Sequence, residues 1–294
     1  MAWLAAAIPG EGLASLATAR EQAHSTDSGG GVWMRIGEMT WTMVQEAIAE
    51  GASAIIPLGS IEEHGPHSPM GDYVAIDAIA GQTGERTRDL VAPTMPFGFS
   101  EYFRHYPGTI TLRPETLSGV VEDTVDCLLR HGVRRIVIFN GHAGNAPILE
   151  LLTRKLRRER GILIPSVSPL QVIQAPELIK ELYGAGFKLG HGGEPMGSLM
   201  MVLQPGKVQM ERAGSYGRKD LWGMPTDGLG AFLFHGVRVA VPLDMRDVTP
   251  ETGSLGDPSS ATVARGQAML NYAVDFCVEF MRWFRTVDPW GLAE

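Results

Sequence analysis

The chain has 294 residues, of which 44% are hydrophobic and 20% charged, with a net charge of −8. This is the composition of an ordinary soluble globular protein with room for a sizeable core. The acidic balance argues against a nucleic-acid binder, which would show a basic face. No apolar run reaches the roughly 18 residues needed to span a bilayer. Cys127 and Cys277 both fall in apolar helical patterns. Free thiols of that kind fit a reducing, cytoplasmic setting better than a disulfide framework.

The first stretch, residues 1–31, reads as a flexible extension that closes on the Ser28–Gly31 run. It lacks the positive start of a signal peptide, and Pro9, Gly10 and Glu11 interrupt its apolar part. A single domain is expected over 32–288, with a short tail at 289–294. The spacing of Met43, Val44, Ala47 and Ile48 predicts a helix over 40–50, with Thr40 as its cap. A buried strand over 52–57 follows and runs into GSIEEHGPH.

Within a dozen residues beyond that strand come Glu62, Glu63, His64, His67 and Asp72. Carboxylates and imidazoles gathered past a strand end in an α/β chain suit a metal site. Glu62 and His64 are two apart, so on extended backbone they share a face, while Glu63 points the other way. Asp72 opens a helix predicted over 74–88, where it would serve as a cap even without metal.

A short strand at 90–96 leads to a loop broken by Gly98, Pro107 and Gly108, then a strand-like segment at 109–112. Tyr102 and His105 lie on that loop, with a place in the pocket or at the surface. A helix is predicted over 114–131. The run 135–139 is apolar throughout, as in a strand covered on both faces. It delivers a second polar cluster, Asn140, His142 and Asn145, ahead of a helix over 147–160. A third cluster carries His191 and Glu194 just before a helix starting near Pro195. Glu194 is a metal ligand, a proton carrier or a charge at a helix N-terminus. The Gly-rich, aromatic segment 214–236, with Tyr216 and Trp222, is a candidate substrate-shaping loop. A buried strand over 237–243 and an amphipathic helix over 260–284 complete the chain.

In order along the chain, GSIEEHGPH, the Tyr-Pro-Gly-Thr turn at 106–109, Asn-Gly-His-Ala-Gly-Asn at 140–145, His-Gly-Gly-Glu at 191–194 and GDPSSAT at 256–262 resemble the creatininase family of amidohydrolases. The resemblance covers residues 33–285. It implies a three-layer α/β/α sandwich around a mainly parallel sheet, two divalent metal ions (zinc, manganese or iron), hydrolysis of C–N bonds in a small-molecule substrate, and a homo-oligomer, often a hexamer. Neither nucleic acid nor membrane is an expected partner.

Carried over by position, the resemblance makes Glu62 and His142 ligands of one metal and His64 of a second. Asp72, one residue earlier than the family's bridging aspartate, is the expected bridge, with Asp77 as fallback. Gly144 stands where creatininase has a metal-binding Glu, which leaves Glu194 as the replacement. Met196 stands where a further Glu is common. Both departures argue against creatinine as substrate. His191 is the expected proton carrier, with Glu194 as its competitor. His67 and Asn140 are expected to orient ligands, and Tyr102 and Trp222 to line the substrate side. Two other readings stay open: the same metal site opening a cyclic ketone or lactone ring, or a non-catalytic member of the family.

Overall fold

A computed structural model describes residues 34–249 and 251–291. The expected extension 1–31 and the last residues of the expected tail lie outside the described residues. Four parallel strands form the central sheet: β1 (Ala54–Leu58), β2 (Leu90–Val91), β3 (Ile136–Asn140) and β4 (Ser166–Val167), in the order β2-β1-β3-β4. β1 and β3 pair along their whole length, from Ala54 opposite Ile136 to Leu58 opposite Asn140.

Both central strands are buried at every position, and side-chain alternation sends neighbours to opposite faces. Ile55, Val137 and Phe139 join one core, while Ile56, Ile136 and Ile138 join the other. The first core is closed by α2 (Tyr73–Thr87), α5 (Pro176–Tyr183), α6 (Met196–Leu203) and α7 (Val263–Phe284). The second is closed by α3 (Pro114–Arg130) and α4 (Ala146–Arg160), with α1 (Trp41–Ala49) packing partly buried residues against it. The result is the three-layer α/β/α arrangement that continuous apolar strands demand.

Local signals act where expected. Thr40 caps α1 by accepting the Met43 N–H at 3.3 Å. Thr262 caps α7 in the same way through Arg265 N–H at 3.2 Å. Pro147 sits in the first turn of α4, where it has no N–H to lose.

Three expectations need correction. The strand-like segment at 109–112 makes only isolated bridges, Ile61 with Ile110 and Gly98 with Thr111. The strand at 90–96 is regular only over Leu90–Val91. The strand expected to be buried over 237–243 is β6 (Val237–Ala240), paired antiparallel with β5 (Ala231–Phe234) and exposed along its length. Its Val-Arg-Val-Ala pattern has one charge among apolar residues, so apolar composition outweighed the charge at Arg238 in the sequence reading. No helix of the described residues is long and apolar enough to cross a membrane.

Candidate metal centre

β1 and β3 both end on the same edge of the sheet, and the loops that leave them carry Glu62, His64 and His142. This is the edge where open parallel α/β sheets place their sites. Asn145 ties the loops together. Its side chain donates to Gly59 O and Asn140 Oδ1, both at 3.2 Å, and accepts from Phe99 N at 2.8 Å. Gly98 lets that crossing pass: a Cβ there would lie 2.5 Å from Gly59 O and 2.6 Å from Asn145 Oδ1.

Six titratable side chains converge: Glu62, Glu63, His64, Asp72, His142 and His191, all but His191 buried. Two sets of ligand atoms lie within 4.8 Å of one another, Glu62 with Asp72 and His142, and Glu62 with His64 and His191. Glu62 is common to both sets.

In the first set His142 Nδ1 stands 3.1 Å from Glu62 Oε2 and 3.1 Å from Asp72 Oδ2. Its Nε2 is 2.9 Å from the main-chain oxygen of Phe99, which only accepts. A proton therefore sits on Nε2, and Nδ1 faces two carboxylates. Ser100 Oγ donates to Glu62 Oε2 as well. Asp72 does not cap α2; its Oδ1 accepts the Ser60 N–H at 2.7 Å.

The second set repeats the pattern. His64 Nδ1 is 3.3 Å from Glu62 O, and its Nε2 is 4.0 Å from Glu62 Oε1. His191 Nε2 is 2.6 Å from Glu63 O. Each imidazole thus anchors one nitrogen on a main-chain carbonyl; the other faces two carboxylates in His142 and has no hydrogen-bond partner among the described residues in His64 and His191. Such anchoring is how a protein orients a metal-binding histidine.

The electrostatics follow from this crowding. Burial drives the Glu62 carboxyl upward, but His142, His64 and His191 outweigh it and hold the group at about 2. Burial, and then the Glu62 charge, push Asp72 up to about 6. Burial opposes a charge on His142, yet Glu62 and Asp72 hold its pKa well above the ordinary value. Burial, with His191 beside it, drops His64 to about 3. Two buried acids sharing one protonated imidazole form a site that favours a positive charge between them. That donor chemistry, mixed oxygen and nitrogen with one residue shared, fits divalent cations.

The other sequence-predicted residues lie as follows. Asn140 Oδ1 accepts from His142 N and Asn145 Nδ2 and so braces the His142 loop. His67 is buried with neither ring nitrogen hydrogen-bonded. Glu194 joins neither set; its oxygens take the hydroxyl of Ser198 at 2.6 Å and its N–H at 3.2 Å, in the first turn of α6. Ser198 Oγ in turn accepts from Thr262 N at 3.0 Å, which ties α6 to α7. Asp77 bonds Arg35 at 2.9 Å and Thr94 at 2.6 Å. Tyr102 packs edge-on against Phe99 and Phe103. His105 lies at the surface, 3.1 Å from Asp244. Trp222 is 76% exposed against Phe232.

Sequence reasoning gave no role to Ser60, Ser100 or the carboxylate of Glu63. Ser60 and Ser100 join hydroxyls at 2.5 Å beneath Glu62. Serines on glycine-rich turns carry no periodic signal, so only the folded chain pairs them.

Comparison with known proteins places this geometry in context. The family model described as creatinine amidohydrolase matches residues 37–281. Creatinine amidohydrolase of Pseudomonas putida is 28% identical over 84% of this chain and 95% of its own length. A mycofactocin precursor peptide peptidase of Mycobacterium tuberculosis is also 28% identical, over 86% of this chain and 94% of its own. The solved manganese creatininase superposes with a TM-score of 0.69 at 28% identity, covering 86% of this chain and 99% of its own. A mutant creatininase of Zn-Zn type also gives 0.69 at 28% identity, covering 88% and 100%. With its matched span taking in every strand of the central sheet and all of the ligand-bearing loops, the chain belongs to the creatininase family of metal-dependent hydrolases.

Proposed function

We propose that this protein hydrolyses a C–N bond, in a cyclic or linear amide of a small molecule, with two divalent cations held by the buried cluster. The observation that carries the reading is Glu62 standing in both sets of ligand atoms. Glu62, Asp72 and His142 would hold one cation, and Glu62 with His64 a second. Zinc and manganese are both compatible with this donor set, as is iron, and relatives of this fold have been solved with zinc or manganese. Such cations, when bound, acidify water towards neutral and polarise a carbonyl.

The chain's own residues do the remainder. Phe99 O and Glu62 O fix the rings of His142 and His64 so that one nitrogen of each stays available. Asn140 and Asn145 hold the His142 loop against β1. His191 is the group proposed to carry the proton to the leaving nitrogen. Glu194, bound to Ser198, is proposed to fix the start of α6 and the approach of His191. Gly144 leaves no carboxylate beside His142, and a Cβ there would lie 2.3 Å from Phe99 O. This supports a substrate other than creatinine. A homo-oligomer of such chains acting on a small molecule, without nucleic acid or membrane, completes the proposal.

A second reading has one observation behind it. The 3-dehydro-scyllo-inosose hydrolase of Thermotoga maritima is 29% identical over 106 residues, 35% of this chain. The amide reading is preferred because its relatives match nearly the full length. The test is protein loaded with zinc or manganese and assayed on creatinine, on small cyclic and linear amides, on short peptides and on cyclic ketones. Turnover of an amide other than creatinine is expected. Turnover of the cyclic ketones alone would replace the proposal with the second reading.

A further inference from the structure

Glu63 stands between Glu62 and His64, yet its carboxylate belongs to neither set of ligand atoms. It meets Nε2 of His191, the member of the second set that the reading above leaves free to carry the proton. The His191 ring lies between two others, stacked on His64 with centroids 4.7 Å apart and on Phe103 at 4.4 Å. Those contacts fix the plane of the ring and leave its hydrogen bonds to decide between the two orientations related by a half-turn flip about Cβ–Cγ. Nε2 lies 2.6 Å from Glu63 O. A carbonyl oxygen only accepts, so Nε2 carries the proton. Oε1 of the same residue stands 3.2 Å from Nε2 and has no hydrogen-bond partner of its own. Nδ1 is left without a partner among the described residues.

The carboxylate is itself held in place. Glu63 Oε2 accepts the Gly65 N–H at 2.7 Å. Gly253 gives it room: a Cβ there would lie 2.5 Å from Oε2. Thr109 Oγ1, at the end of the Tyr-Pro-Gly-Thr turn, accepts the Glu63 N–H at 3.3 Å. One hydrogen bond from its own loop thus holds the carboxylate, a second from the Thr109 loop holds its backbone, and the Gly253 loop leaves it room.

We propose that Glu63 is the positioning residue for His191, its main-chain oxygen and carboxylate together holding the ring as the Nε2–H tautomer so that Nδ1 is presented to the substrate. A charge fixed beside the protonated nitrogen stabilises that tautomer and resists a ring flip. The role for Nδ1 rests on the hydrolytic reading above; the tautomer itself does not.

The experiment separates the two. Metal-free protein labelled with ¹⁵N-histidine gives the ring nitrogens directly, and His191→Gln assigns the signal. The expected result is a single Nε2–H tautomer for His191 in the unsubstituted protein and a mixture of tautomers in Glu63→Ala, with both proteins folded by circular dichroism. Glu63→Gln keeps the shape without the charge and is expected to fall between them. An Nδ1–H tautomer in the unsubstituted protein, or an unchanged tautomer in Glu63→Ala, would overturn the proposal. In a second arm, both variants are loaded with zinc and assayed on whichever amide is turned over. There kcat is expected to drop about tenfold or more with KM nearly constant and metal content unchanged. A loss of bound zinc in proportion to activity would make Glu63 a ligand and overturn it too. If no amide is turned over, the hydrolytic reading fails while the tautomer result stands.

Discussion

Replacing His142 by Ala in metal-free protein tests the electrostatic core of the site. In the intact cluster His142 Nδ1 lies 3.1 Å from both Glu62 and Asp72. Holding the Glu62 carboxyl at about 2 instead of an ordinary 4.5 corresponds to about 3 kcal/mol, at ~1.36 kcal/mol per unit. Without the imidazole, two buried carboxylates face each other with no cation between them. Breaking a buried pair from one side costs about 3–5 kcal/mol, and the same range is expected here at pH 7. The sign of the pH dependence follows. The intact Glu62 has a depressed pKa, so its contribution is present above about 4.5 and is lost as pH falls towards 2. In the variant burial dominates and raises both acids, so the variant regains stability as pH falls through those raised values. His142, with its raised pKa, and Asp72, held at about 6, keep the intact protein stable down to about pH 5, so the gap between the two proteins is expected to narrow below the 4.5 of Glu62. Urea unfolding of EDTA-treated proteins at pH 7 and pH 3 measures it. A gap under about 1 kcal/mol at pH 7, or one that widens at pH 3, would refute the reasoning.

Other expectations follow from single contacts. His64→Ala removes a buried ring held neutral, with its pKa at about 3; activity on any substrate found should fall at least ~100-fold, while the thermal midpoint changes little. Unchanged turnover would remove His64 from the site. Gly144→Glu, which would place a carboxylate where creatininase carries one, should not create creatinine hydrolysis. Its Cβ would lie 2.3 Å from Phe99 O and 2.5 Å from His142 Nε2, so a lower midpoint by unfolding and weaker metal binding are expected. Zinc or manganese affinity should fall as pH drops, because the cation must displace a proton from His142 and meet Asp72 ionised, a group pushed up to about 6. Competition with a chromophoric chelator at pH 8, 7 and 6 should show at least about tenfold weakening over the range; a flat profile would contradict it.

Much of this was legible in the chain itself. The apolar run at 135–139 announced β3, and its buried partner over 52–57 announced β1, because parallel strands covered on both faces read as continuous hydrophobic stretches. Those two strand ends fix where Glu62, His64 and His142 emerge, so the site's address was readable. Side-chain direction was harder. Glu63 was read as turned away from Glu62 and His64, which it is, but nothing in the local sequence tied it to His191, 128 residues on. Asp72 carried two readings, helix cap or ligand, and only the Ser60 N–H and the His142 ring separate them. Glu194 likewise sits at the start of α6, and its bond to Ser198 depends on a helix phase that sequence leaves open. The 237–240 strand was misjudged because apolar residues suggest burial whether or not a second layer exists to cover them.

Metal content tests the central claim most directly. Protein dialysed against zinc or manganese and then freed of excess should retain about two equivalents per chain, one for each set of ligand atoms, and Glu62→Ala should lose both together, because Glu62 belongs to both sets. Retention of fewer than about one equivalent by the unsubstituted protein, or a Glu62→Ala variant that binds as much as the parent, would contradict a shared carboxylate at the heart of the site.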